Sequence, residues 1–220
     1  MINRISGFII LVFALLPKLN YAQVMPQGFL VGQVVETVTI GTQVWMKYNL
    51  DTEVYQDGTS IEGANIEFTR TLTTPSWCYY LRDESYNATY GKLYNGYAIN
   101  NAKGVCPVGF KVPSSADFNT LSTYLGGNTI AGGKLKQAGL TTWTLTSSSV
   151  TNSSKFTGLP GGYMGDAGSS SNLGDQAYFW TSTSAGTTNY VRMLKNSTID
   201  FTETTAFALK GGASVRCIKQ

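Results

Sequence analysis

The chain of 220 residues contains no histidine. That single absence removes Ser-His-Asp and Cys-His catalysis, and with them the common zinc sites built on imidazole. Charge is scarce as well: Asp, Glu, Lys and Arg make up 13% of the sequence. No run of Lys or Arg exists to neutralise a phosphate backbone, so nucleic acid is excluded as a partner. Cysteine is limited to Cys78, Cys106 and Cys217, which permits one internal disulfide at most and leaves one thiol over. The abundant residues are Gly, Ser, Thr, Asn and Tyr, a composition that suits an exported, loop-rich β protein solvated by hydroxyls and amides.

The one long apolar run lies at the start. Arg4 precedes an almost unbroken apolar stretch from Ile5 to Leu16, and Tyr21-Ala22 places a small residue before Gln23, the layout of a cleaved export signal. About a dozen apolar residues fall short of the roughly 20 that span a bilayer. No cysteine sits near the cut, which argues against a lipid anchor. Residues 1–22 are therefore expected to leave as a signal peptide, 23–33 to form a short tether, and 34–220 to fold as one domain. The 16 basic residues lose Arg4 and Lys18 with the leader, so 14 remain against 13 acidic ones. The expected product is nearly neutral, secreted or held at the cell surface, with no membrane span after signal removal.

Within the domain, Val34 to Ile40 alternates and Val44-Trp45-Met46 follows a Gly41-Thr42 turn, predicting a hairpin. Trp77 to Leu81 reads as a strand. Tyr90, Leu93, Tyr94 and Tyr97 then recur at helical spacing, which predicts an amphipathic helix that Gly96 weakens. A sugar-stacking platform is the alternative use of those tyrosines, and core packing is the preferred one. Phe110 and Val112 read as a short strand ended by Pro113. Ser114 and Asp117 then have the spacing of a capping box, Phe118, Leu121 and Leu125 line one face, and Gly126-Gly127 stops the helix. Ala131 to Gln137 is too rich in glycine to be more than a marginal helix. From Thr144 to Gln176 the chain is long, polar and aperiodic, with Phe156, Leu159, Tyr163 and Met164 available to pin it as ordered loops. Strands return at Ala177–Thr183, Thr188–Leu194 and Ala213–Ile218, with a further one expected within Ile199–Phe207.

Six blocks occur in an order that resembles the Fibrobacter succinogenes major paralogous domain. They are Thr39 to Met46 with Asn49-Leu50, Tyr90 to Asn95, Cys106 to Pro113, Gly158 to Gly162, Phe179 to Ser182, and Ser214 to Cys217. They cover about residues 34–219. The chain departs from the family pattern at Gly109-Phe110-Lys111, where Gly-Trp-His is common, and at Asp117-Phe118, where Glu-Trp is usual, so no family role for that imidazole carries over. The resemblance implies an exported bacterial domain without a generally assigned activity. It further implies an α+β, C-type lectin-like fold: two main helices, antiparallel sheets, long irregular loops and adjacent termini. In such a fold a disulfide ties the final strand to the middle of the chain, which implies Cys106–Cys217. Cys78–Cys217 is the rival pairing, and Cys78 otherwise reads as a buried thiol.

The same resemblance makes the 144–176 region the ligand-facing surface, with Trp143, Tyr163, Asp166, Asn172 and Asp175 as candidate binding residues. The expected function is an exported binding or adhesion module that meets a glycan or a cell-surface protein, without catalysis. The alternatives are a secreted carbohydrate-active hydrolase using an Asp/Glu pair, or a structural surface protein. The calcium-binding triplets of sugar-binding lectins are missing, and the spacing of Asp166 and Asp175 fits no calcium loop, so no metal and no cofactor are expected. Formylglycine-type oxidation needs a reactive cysteine pair, which Cys78 alone does not supply.

Overall fold

A computed structural model of the protein describes residues 35–64 and 73–220; the expected leader and tether lie outside the described residues. In chain order the first elements are β1 (Thr37–Ile40), β2 (Gln43–Met46), β3 (Glu62–Gly63) and β4 (Ser76–Cys78). Next come α1 (Asn87–Tyr90), β5 (Leu93–Asn95), α2 (Gly96–Ile99), β6 (Phe110–Lys111), α3 (Ser115–Tyr124) and α4 (Asn128–Leu135). The C-terminal part holds β7 (Gly161–Met164), β8 (Ser170–Leu173), β9 (Gln176–Ser184), β10 (Thr188–Lys195), β11 (Phe201–Ala208), β12 (Gly212–Ala213) and β13 (Ile218–Lys219). A four-stranded sheet runs β1-β2-β13-β6, and a large sheet runs β11-β10-β9-β7-β12-β5-β4-β3 with β8 paired to β7.

This corrects the expected α+β, C-type lectin-like arrangement of two main helices with antiparallel sheets. The chain is mostly β, its longest described helix has 10 residues, and the large sheet is mixed, because β7 pairs β9 and β3 pairs β4 in parallel. The tyrosine-rich stretch is the clearest source of the error. Its apparent helical period is made by three short elements in succession. Helix α1 ends at Gly91, whose φ of +72° and whose position, with an added Cβ 2.8 Å from the Leu50 carbonyl oxygen, admit no side chain without strain. Leu93 and Tyr94 then enter β5 opposite Cys78 and Trp77. Asn95 caps α2 by accepting from the Ala98 N–H at 2.9 Å.

Helix α3 forms where the local code predicts. Ser114 Oγ accepts from the Asp117 N–H at 3.1 Å, and the Asp117 carboxylate accepts from the Ser114 N–H at 2.8 Å. Lys111 adds an ion pair at 3.0 Å. Burial works against the charge on Asp117, but the Ser114 N–H, Lys111 and the Ser114 hydroxyl outweigh it and hold the carboxyl below its ordinary 3.8. A folded value below the unfolded one means that the carboxylate's stabilisation is complete above the unfolded value and disappears as pH falls through the folded one. Asp117→Ala is thus expected to cost about 1 kcal/mol at neutral pH. In urea titrations at falling pH, its gap from wild type should close as the carboxyl is protonated below its ordinary range; a gap that stayed constant would sink this assignment.

Helix α4 runs for eight residues where only a marginal helix over Ala131 to Gln137 was expected. Its glycines are contact points: a Cβ on Gly132 would lie 2.1 Å from the Asp200 oxygen, and one on Gly133 2.4 Å from that of Ser149. The helix can approach β11 and the 149 loop only because both side chains are missing. Alternation along β9 then sends Ala177 and Phe179 into a core shared with Trp45, Phe118, Leu121, Leu135, Trp143 and Phe156. Tyr178 and Trp180 point into a second core with Trp77, Tyr94, Val105 and Val112. Both faces are covered, which is why this strand reads as a continuous apolar run.

The chain's tail closes the structure. Ile218 of β13 pairs with Trp45 of β2 and Lys111 of β6, and Cys106 is bonded to Cys217 across a separation of 111 residues. Cys78 is the buried free thiol; burial pushes it up to about 12, with Arg82 pulling weakly the other way. Beside the disulfide lies Arg216, 0% exposed. Its Nε and Nη2 donate to Asn49 Oδ1 at 3.1 and 2.7 Å, and its Nη1 donates to the carbonyls of Lys47 and Phe156. The guanidinium also lies 4.4 Å from the centroid of the Phe156 ring. Asn49 in turn donates to the Tyr90 carbonyl at 2.9 Å and to Ser214 Oγ at 3.3 Å. The hairpin end, the 90 turn, the 156 loop and the final segment thus meet at one buried cation.

Candidate functional site

The polar stretch from Thr144 to Gln176 is ordered, and it contains the β7–β8 hairpin in which Tyr163 stands opposite Ser171. The parallel pairing of Gly162 with Ala177 sets β7 beside β9, so Tyr163 and Tyr178 emerge next to each other. Their ring centroids are 4.9 Å apart. Phe207 of β11 completes the group, 5.7 Å from Tyr163, 5.9 Å from Tyr178 and 5.0 Å from Trp180. Tyr163 and Phe207 are half-buried, packed against the core below, and each keeps part of its surface in water.

Polar groups flank these rings. Asn172, in the left-handed region at φ 66°, donates from Nδ2 to the Tyr178 hydroxyl at 2.9 Å, and that hydroxyl donates to Gln176 Oε1 at 2.6 Å. Burial raises the Tyr178 phenol, with the Asn172 hydrogen bond opposing and the nearby Tyr163 adding to the rise. It therefore stays protonated at neutral pH and keeps its donor role. Such a chain holds amide and hydroxyl in place before any ligand arrives. The hairpin itself is braced from outside: Arg82 Nη2 donates to the Gly168 carbonyl at 2.8 Å, and the Leu81 N–H donates to Ser170 Oγ at 3.0 Å. Leu81 and Arg82 both have positive φ, 51° and 60°, a conformation L-residues adopt only when their surroundings hold them there.

Of the five residues singled out from the sequence, the fold brings Tyr163 and Asn172 together. Trp143 is 2% exposed and donates from Nε1 to the Gly158 carbonyl at 3.1 Å, so it is a core residue and is closed to a ligand. Asp175 is spent on the loops: its carboxylate accepts from the Thr144 hydroxyl and from Asn196 Nδ2. Asp166 stands exposed at the hairpin turn. Tyr178, Phe207 and Gln176 were missed. Tyr178 had a readable trace, since it alternates with Phe179 along a strand, but Phe207 reaches the group only through the pairing of β10 with β11. Among the described residues no group of three or more Cys, Asp or Glu side chains is placed to hold a metal ion, and no helix is long and apolar enough to cross a membrane.

No curated protein and no solved structure matches the chain. A family match runs from residue 38 to residue 219, through β1 at one end and β13 at the other, and so takes in both sheets, the disulfide and the Arg216 junction. On that coverage, the protein belongs to the Fibrobacter succinogenes major domain family.

Proposed function

We propose that the protein is an exported recognition module that binds a glycan through the half-exposed rings of Tyr163 and Phe207 and the amides of Asn172 and Gln176. Family membership is consistent with a surface or binding module. The observation that carries the reading is the pairing of partly exposed aromatic faces with a prepositioned amide–hydroxyl chain. Sugars offer flat apolar C–H faces to rings and hydroxyls to amides, so this surface supplies both halves of the contact. A structural disulfide supports the exported location, because such bonds persist in oxidising compartments. Nothing in the proposal calls for a catalytic pair; the module recognises and holds.

The test is a glycan array followed by titration of the hits against wild type, Tyr163→Ala and Asn172→Ala. Tyr163→Ala is expected to weaken binding at least about tenfold, as removal of a central aromatic anchor does, and Asn172→Ala by less. Unchanged affinity in both folded variants, or no glycan bound by wild type, would remove the reading.

A further inference from the structure

The strand register sets a cation beside the ring surface. In the pairing of β9 with β10, Leu194 stands opposite Ala177, and both enter the core of Trp45 and Phe118. The pairs on either side, Met193 with Tyr178 and Lys195 with Gln176, therefore share the other face of the sheet, the one that carries the rings. Directly opposite side chains start roughly 4.5–5.5 Å apart, so Lys195 and Gln176 emerge side by side. The end of β10 is fixed from behind, because the buried Lys136 donates from Nζ to the carbonyls of Lys195 and Thr198 at 2.7 and 2.6 Å.

The Gln176 amide has a set polarity. Its Oε1 accepts from the Tyr178 hydroxyl at 2.6 Å, and that hydroxyl accepts from Asn172 Nδ2 at 2.9 Å, so the end left over is the Nε2 donor. Gln176 Nε2 and Lys195 Nζ have no hydrogen-bond or ion-pair partner among the described residues, and neither is shut off from water. Lys47, Lys92, Lys103 and Lys111, by contrast, each have a carboxylate within 3.4 Å. The acidic residue next along β9, Asp175, is taken up by the Thr144 hydroxyl and by Asn196 Nδ2 and forms no ion pair with Lys195. An ammonium and an amide N–H group with no anion between them suit an oxyanion: the first supplies charge, the second a directed donor.

Resting on the glycan reading, we propose that Lys195 and Gln176 form an oxyanion subsite that makes the ring surface selective for acidic glycans. A uronate carboxylate or a sulfate ester meets the two donors while the sugar lies against Tyr163 and Phe207.

The test is a glycan array printed in matched pairs, each uronate oligosaccharide beside its methyl ester and each sulfated one beside its desulfated form. The acidic member of a bound pair should bind about fivefold more tightly at low salt, the upper end for a solvent-accessible ion pair. That difference should shrink as added salt shortens the screening length below about 10 Å. Preference confined to uronates, or to sulfated sugars, identifies which anion the subsite takes. Lys195→Met should remove the preference and Lys195→Arg should keep it. Gln176→Glu, nearly the same shape, gives Lys195 a partner within the protein and should also abolish the preference; it is the readout if Lys195→Met does not fold. Neutral members bound as tightly as acidic ones, or a preference that survives Lys195→Met and Gln176→Glu, would overturn the subsite and leave the glycan reading standing. Failure of wild type to bind any glycan would remove both.

Discussion

Replacing Cys106 and Cys217 by serine is expected to cost roughly 4–5 kcal/mol of folding stability, from the loop-closure entropy restored to the unfolded chain. The bond closes 111 residues, and that loop contains both longer helices, the β7–β8 hairpin, the three long strands and the whole ring surface. Both cysteines are buried, at 1% and 0% exposure, within the core that holds Trp180 and Val215, so serine at either place also leaves a hydroxyl in apolar surroundings. Urea unfolding of the double variant, and of wild type with reductant, measures the effect. The folded protein should resist thiol reagents in the absence of reductant, because Cys78 is buried and its thiol is held protonated up to about 12. A double variant within about 1 kcal/mol of wild type would show that the closure term does not govern stability here.

Arg216→Met should be nearly as damaging, at about 3–5 kcal/mol, because hydrogen bonds to a charged donor are worth about 1.5–3 kcal/mol each and several are lost at once. Methionine fills much of the volume but supplies no donors. Asn49 Oδ1 and the carbonyls of Lys47 and Phe156 would be left facing apolar atoms, each unsatisfied. Burial pushes the guanidinium down to about 9, so at neutral pH it is charged, and each of its three nitrogens donates. No carboxylate is among its bonding partners; neutral oxygens and the faces of Phe156 and Phe179 surround it. Arg216→Lys should recover only part of the loss, since one ammonium cannot span acceptors spread over two separate segments, Lys47 with Asn49 and Phe156. Differential scanning calorimetry of both variants decides the point, and a methionine variant as stable as wild type would show that packing alone joins these segments.

The two losses act at adjacent residues, so they should not add. Cys217 and Arg216 anchor the same terminal segment. Once that segment detaches, β13 leaves the gap between β2 and β6, and the second lesion finds less to disrupt. The double lesion is therefore a direct measure of how strongly the tail holds the two sheets together.

Short-range chemistry decided several parts of this protein in advance. The capping box at Ser114 and Asp117, the glycine stop at Gly126-Gly127, the β1–β2 hairpin and the apolar runs of β9 and β10 are legible because each depends on residues within one turn or one strand. Family membership was legible too, through six ordered blocks. Tertiary structure decided the rest. It broke the tyrosine periodicity at Gly91, where the Leu50 carbonyl approaches, and turned the glycines of α4 into contact surfaces. It buried Trp143 beneath Gly158 and engaged Asp175 with the loops. It assembled the ring surface from three strands, β7, β9 and β11, bringing Tyr163 against Phe207. The physical reason is one of range. Caps and turns are set by bonds among neighbours, whereas exposure and juxtaposition depend on which distant backbone occupies the space above a side chain, and the residue itself carries no record of that.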